Sequence, residues 1–393
     1  MKRKSESNLS ITSSKIIFNL KAIAFIIYFS LSSFIFMFLS GCGEKITEQT
    51  SEGKPTDSIV PIKLGSNIYS YILNADQVIK PVIAANVYGS QVLVSINKAH
   101  TSLIFHRALD SSALFDVNVN IQQTPIAAIA PSKMLFTIYR NQLFFLSTRY
   151  GVLYIYNINH NFSIEFYKKI DLSNYLKENS FFIRFIIEQG LQIIDSTAYI
   201  PYGKSSSWNH FTDKYCYIKV DLKKKGQGLQ KVFETLPEYR KGERHNKDTY
   251  IQELKPKDTG IYSFRTYDRI DLFDKNSTVF KRIFFSSNAN FLAFDQNKDN
   301  DLSYVRRYEQ TNETNEAVLT NDRKIIIIKR EKKSKLTDTD TYRYIILDAT
   351  HNFQKIFDRK FDYPIDPYFS FSYKKGFVVF AESLKEAYYY EIP

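Results

Sequence analysis

Tyr217-Ile218-Lys219-Val220-Asp221-Leu222, Tyr267-Asp268-Arg269-Ile270-Asp271-Leu272 and Tyr344-Ile345-Ile346-Leu347-Asp348 decide the fold class. In each, an aromatic stands four residues before an Asp that closes a strand. A polar turn follows, and a second strand opens on Val232-Phe233, Val279-Phe280 or Ile356-Phe357. Strand side chains alternate between faces, so each unit reads as a hairpin with a packed face and a polar turn. Weaker copies end at Asn97, at Asn157 and at Glu391 in Tyr388-Tyr389-Tyr390-Glu391-Ile392.

Taking 97, 157, 221, 271, 348 and 391 as equivalent gives spacings of 60, 64, 50, 77 and 43. These lie near the ~40–50 residues of a four-stranded propeller blade, with insertions. The expectation is an all-β chain folded as a six-bladed β-propeller over residues 59–393. Seven or five blades, or a pair of β-sandwiches, are the alternatives. The last hairpin resembles the internal ones, as a ring closing on itself requires, and this favours the propeller. Between these units lie further short runs rich in Ile, Val, Tyr and Phe, such as Gln91–Ile96, Leu143–Ser147, Lys324–Lys329 and Gly376–Ala381. Helical patterning is scarce, with one short turn expected at Leu172–Glu178.

The front of the chain is of a different kind. Lys2, Arg3, Lys4, Lys15 and Lys21 precede an apolar run from Ala22 to Leu39, and Leu39-Ser40-Gly41-Cys42 follows. A basic front, an apolar middle and small residues before a cut site make a secretory signal. The string ending in Cys42 resembles the lipobox of bacterial lipoproteins. That resemblance implies cleavage before Cys42, a signal peptide over residues 1–41 and acylation of the Cys42 thiol. An uncleaved anchor is the competing reading, at the short edge of what spans a bilayer. Gly43, where inner-membrane lipoproteins often carry Asp, favours the outer membrane by the same resemblance, with the periplasmic or surface face left open. Residues 42–58 are polar and aperiodic and read as a flexible tether.

Composition sets further bounds. The full chain carries a net charge of +12, and losing residues 1–41 leaves 48 basic and 40 acidic residues, a net +8. Outside the cytoplasm such an excess suits anionic glycans or lipid headgroups rather than nucleic acid, or serves solubility alone. Cys216 is the other cysteine of the two, so acylation of Cys42 leaves no intrachain disulfide. Stability rests on the core, for which 32 Phe and 28 Tyr supply apolar area.

A wider resemblance follows from these parts. A lipobox, a tether and irregular units ending in strand-Asp-turn are similar to the bacterial six-bladed β-propeller lipoproteins, including a family of unknown function common on Gram-negative outer membranes. Phe294-Asp295 with Tyr304, Arg306 and Arg307 resembles one family segment. Tyr342 to Asp348, Ile356-Phe357 and Lys375-Gly376-Phe377-Val378-Val379 resemble its closing blade. The resemblance implies the fold and the anchor, and no activity.

The motifs for chemistry are sparse. No two of His100, His106, His160, His210, His245 and His351 share a metal-ligand spacing. Asp295, Asn297, Asp299 and Asp301 alternate as cation ligands do, but Asn300 and Arg306 stand where a calcium loop needs Gly and Glu. Gly203-Lys204-Ser205 lacks the earlier Gly of a phosphate loop. No metal or cofactor is expected, and no catalytic residue is assigned. Tyr202, Trp208, Asn209 and His210 stand out, because the stretch from Pro201 to Asp213 interrupts a strand and holds the single Trp. Flat aromatic faces beside amide and imidazole groups suit a sugar or peptide, and loops concentrate binding residues. Trp208 plugging the loop onto the body is the competing reading. Lys223-Lys224-Lys225 and the run from Lys329 to Lys335 read as solvated strand ends.

The expected function is a lipid-anchored envelope propeller that binds or scaffolds a glycan, peptide or partner protein. The second reading is a propeller enzyme of lyase, glycosidase or lactonase type with its site at the central channel.

Overall fold

In the computed structural model the described residues are 46–50, 59–64, 78–97, 102–107, 116–120, 134–148, 150–178, 181–183, 191–204, 215–224, 229–234, 249–254, 259–264, 267–285, 314–331, 340–381 and 386–393. Two short strands come first, β1 (Thr47–Thr50) and β2 (Ile62–Lys63). Blade 1 holds β3 (Val78–Val87), β4 (Ser90–Asn97), β5 (Ser102–Arg107) and β6 (Asp116–Asn120). Blade 2 holds β7 (Met134–Tyr139), β8 (Gln142–Ser147), β9 (Val152–Ile158) and β10 (Ile164–Asp171). A single turn of helix, α1 (Ser173–Glu178), leads into blade 3, where β11 (Phe181–Ile183) and β12 (Gln192–Ile194) pair opposite ends of β13 (Thr197–Lys204), followed by β14 (Tyr215–Asp221) and β15 (Gln230–Glu234). Blade 4 comprises β16 (Thr249–Leu254), β17 (Thr259–Phe264), β18 (Tyr267–Phe273) and β19 (Val279–Phe284). Blade 5 comprises β20 (Thr314–Asn321), β21 (Lys324–Arg330), β22 (Tyr342–Asp348) and β23 (Gln354–Lys360). Blade 6 is built from β24 (Ile365–Tyr373), β25 (Gly376–Ala381) and β26 (Ala387–Glu391), and β2 completes it as the outer strand.

These six sheets form a six-bladed β-propeller. The innermost strands touch in a closed circuit, β3 to β7, β12, β16, β20, β24 and back to β3. Borrowing β2 from the N-terminal side joins the two ends of the chain within one sheet, so the ring is shut by backbone hydrogen bonds as well as by side-chain packing.

The middle strands bury both faces. Ile325, Ile326, Ile327 and Ile328 of β21 are all fully buried: Ile325 and Ile327 pack with Ile261, Ile270 and Leu272 of blade 4, while Ile326 and Ile328 pack with Phe377 and Val379 of blade 6. Period-two alternation therefore sorts side chains between two neighbouring blades rather than between core and water. Each such residue contributes about 1.5–3 kcal/mol over leaving it exposed. Phe144 with Leu146 facing blade 3, and Leu143 with Phe145 facing blade 1, repeat the arrangement in blade 2.

Three expectations change at this level. Residues 47–50, read as part of a flexible tether, form β1, which adds parallel to β19 as a fifth strand of blade 4. A Glu48–Arg282 ion pair at 3.5 Å and a hydrogen bond from Gln49 Nε2 to the Asn352 carbonyl hold it there. Its polar Thr-Glu-Gln-Thr string lacks apolar alternation because an edge strand needs only the free backbone groups of its neighbour. Asp271, read as closing its strand, lies inside β18 and is buried. The turn there belongs to Asp274, whose Oδ1 accepts from the Asn276 and Thr278 N–H groups at 2.9 Å. Asp221 and Asp348 do close β14 and β22, accepting from the Lys223 N–H at 2.9 Å and the Thr350 N–H at 2.8 Å. Asn97, placed as their equivalent, ends the second strand of its blade rather than the third.

Candidate functional site

Strand direction gives the ring two unlike faces. Inner strands end, and third strands end, on one face. There β3–β4, β7–β8, β12–β13, β20–β21 and β24–β25 are joined by two-residue turns, each opening on a positive φ: Tyr88 49°, Arg140 47°, Asp195 51°, Asp322 50° and Lys374 45°. Such turns match the twist of the strands they join. Hydrogen bonds stitch neighbouring blades on this side. Thr320 Oγ1 donates to the Glu253 carbonyl at 2.7 Å, Ser372 Oγ to the Thr320 carbonyl at 2.6 Å, and Gln91 Nε2 to the Ser372 carbonyl at 2.9 Å. Tyr88 Oη donates to the Ile158 carbonyl at 2.7 Å and its ring stacks on His160 at 3.7 Å.

The opposite face carries the longer connections, among them residues 205–214, 235–248, 285–313 and 331–341. Buried charges gather beneath it, at the ends of blades 4 and 5. Asp268 continues the face of β18 that carries Ile270 and Leu272, and Lys329 continues the face of β21 that carries Ile325 and Ile327. They meet between the blades, Lys329 Nζ donating to Asp268 Oδ2 at 2.5 Å, with Lys329 only 1% and Asp268 7% exposed. Next to them Asn315 Nδ2 donates to the Phe264 carbonyl at 2.8 Å, joining β20 to β17.

Two more groups flank this pair. Arg269 grips Asp271 with Nε and Nη2, both at 2.9 Å, while its guanidinium lies 4.6 Å over the Phe264 ring. Arg282 Nε approaches the same carboxylate at 3.7 Å. Burial lifts the Asp271 carboxyl above its ordinary pKa, and the two guanidinium groups pull the other way. On the side of blade 6, Glu316 accepts from Thr314 Oγ1 and faces Arg330 Nε at 3.4 Å, and Arg330 Nη1 reaches Asp340 at 3.9 Å. A bulge between Asn315 and Ala317 places the Glu316 side chain there. Four carboxylates thus face four cations. Each acid has a cation within 4 Å, and the cluster sits where β19 and β21 end.

The sequence-derived candidates fare differently. Tyr202 lies within β13, two residues before its end, and is fully buried in the cluster that holds Phe144, Ile200 and Ile218, so it is a core residue whose ring is not exposed to a ligand. The alternation of Tyr-Ile-Pro-Tyr carried it inward with Ile200. Trp208, Asn209 and His210 lie outside the described residues, as do Cys42 and the Asp295–Asp301 run. The connection that holds Trp208 leaves β13 at the face of the longer connections. Lys329 and Arg330, read as a solvated strand end, are instead buried and half-buried ion-pair partners. His351 is exposed, with Nδ1 2.9 Å from Asp348. Among the described residues no three His, Cys, Asp or Glu side chains come together to hold a metal, and no helix is long and apolar enough to cross a membrane. Asp268 and Lys329 were missed although the signal was present, since each stands in step with an apolar face.

No family model matches the chain, and no curated protein does. Solved structures do. A member of the DUF4221 family from Bacteroides vulgatus superposes with a TM-score of 0.56 at 10% identity, over 87% of this chain and 98% of its own. A Bacteroides fragilis protein inferred to be exported gives 0.51 at 11% identity, over 89% and 100%. At these identities the likeness concerns the fold alone.

Proposed function

We propose that the protein is a lipid-anchored propeller of the cell envelope that binds or scaffolds a glycan, peptide or partner protein, without catalysis. The signal-like front ending in Cys42 supports the anchor and an outer-membrane address, and the Bacteroides fragilis relative of similar fold, inferred to be exported, agrees with a site outside the cytoplasm. The observation that carries the binding role is the asymmetry of the faces. On one, two-residue turns join the first two strands of five blades, beside eight-residue connections at 108–115 and 222–229. On the other, strand ends are separated by ten residues or more at 205–214, 235–248, 285–313 and 331–341, next to buried ion pairs. A rigid frame lowers the entropy lost when a ligand is gripped, and binding residues concentrate in connections between strands. β13 ends and β14 begins on that face, and in this reading Trp208, between them in sequence, supplies the aromatic platform, with Asn209 and His210 as hydrogen-bonding groups.

Two measurements test this. Mass spectrometry of the protein isolated from membranes is expected to find Cys42 N-terminal and acylated, and an unmodified internal Cys42 rules the anchor out. Arrays of envelope glycans and of peptides are expected to retain the wild-type chain and to lose it on Trp208→Ala. Identical blank arrays for both would remove the binding loop, and release of cleaved glycan from the array would favour the enzyme reading.

A further inference from the structure

We propose that the face of two-residue turns lies against the bilayer, its basic side chains meeting anionic phospholipid headgroups, so that the face where β13, β15, β19 and β21 end is turned away from the membrane. The inference rests on acylation of Cys42, which puts lipid at that residue. It goes beyond the anchor by assigning which surface of the propeller meets the lipid.

The first argument is where the chain enters. β1 runs parallel to β19, with Thr47 beside Lys281 and Thr50 beside Phe284. β19 leaves the 274–278 turn, so Thr47 is at the tight-turn end of blade 4. Only residues 43–46 separate Thr47 from Cys42. Fully extended, such a span covers on the order of 17 Å. A longer free tether would let either face approach the bilayer, whereas β1 takes up most of the slack.

Charge supplies the second argument. Arg140, Lys223, Lys224, Lys275, Lys374 and Lys375 are exposed on the turns of this face, spread over blades 2, 3, 4 and 6. Its acids are largely spent within the fold. Asp221 and Asp274 accept backbone N–H groups, Asp348 is buried, and Asp195 faces Arg140 at 3.7 Å. Among the described residues Glu48, Glu165, Asp322 and Glu391 are the exposed acids nearby, Glu48 being paired with Arg282. Basic side chains near an anionic surface contribute about fivefold each in partitioning, over a Debye length of ~8–10 Å.

The test is a lysine footprint of the full chain purified from membranes, in vesicles of phosphatidylcholine with and without phosphatidylglycerol, acetylation being read residue by residue. With phosphatidylglycerol, Lys223, Lys224, Lys275, Lys374 and Lys375 are expected to react at least about fivefold more slowly than in detergent. Lys177 and Lys360, exposed at the other end of their blades, should change less than about twofold. Raising salt to ~0.5 M should restore the rates. Equal rates at both ends, or protection of Lys177 and Lys360 instead, would overturn the assignment of the face. The same spectra report Cys42. An acylated Cys42 without protection sinks the face and leaves the anchor. A bare Cys42 with protection in excess anionic vesicles sinks the anchor and leaves the face.

Discussion

Replacing Lys329 by Met should be among the most damaging single changes in this protein. The ammonium is 1% exposed and sits 2.5 Å from a carboxylate that is 7% exposed, over Ile270, Ile325 and Ile327. Removing it strands Asp268 in a dry interblade seam, a loss of about 3–5 kcal/mol. Unfolding entropy of roughly 2.1 cal/mol/K per residue, over about 350 residues, converts that to a fall in Tm of about 4–7 °C. Asp268→Leu, which removes the carboxylate 2.5 Å from the ammonium, should destabilise as well. The double variant Asp268→Leu/Lys329→Met replaces both charges by apolar groups and should return to within about 2 °C of the parent, because desolvation consumes most of what the pair gains. Thermal unfolding followed by circular dichroism in ~0.15 M and 1 M salt measures all four proteins, and the parent should change little with salt because buried pairs are poorly screened. The reasoning is refuted if either single variant falls by less than about 1 °C, or if the double variant falls by the sum of the singles.

Two further outcomes follow from the same coordinates. Gly376→Ala would place its Cβ 1.8 Å from the Tyr390 carbonyl oxygen in the sheet that closes the ring, so soluble yield or a Tm drop beyond about 5 °C should report it; Gly89→Ala, with open space but φ at +79°, should cost only about 1–2 kcal/mol. Burial opposes ionisation of Asp348, yet hydrogen bonds from Thr350, His351 and Lys324 outweigh it and hold the carboxyl well below its ordinary range. A depressed folded-state pKa stabilises above the unfolded value near ~4 and fades as pH falls through the folded value. The Tm gap between parent and Asp348→Asn should therefore be full at pH 7 and shrink steadily below pH ~4; a gap that widens on acidification would contradict this.

How much was legible depended on the range of the interaction. The units at Tyr217–Leu222 and Tyr344–Asp348 announce themselves locally, since a strand pattern followed by a carboxylate that accepts the N–H two residues on is written in consecutive residues. The count of six blades emerged from such units even though Asn97 belongs to a second strand and Asp271 to a strand interior. The site was less legible. Tyr202 looked like a loop aromatic because its neighbours in sequence are polar, but its alternation with Ile200 points it into the seam between blades 2 and 3. Lys329 looked solvated because it opens a basic run, and Asp268 drew no reading of its own inside its strand unit.

By itself the sequence determined that this chain is a series of short strands with turn carboxylates, preceded by a signal-like segment that ends at Cys42. Those properties depend on residues a few positions apart. Only the tertiary structure decided that Thr47–Thr50 joins blade 4, that Ile62–Lys63 shuts the ring in blade 6, and that Asp268 meets Lys329 across 61 residues. Pairing at a sheet edge is made by backbone groups, which every residue but proline carries alike. No side-chain pattern can single out the partner strand until the blades stand side by side.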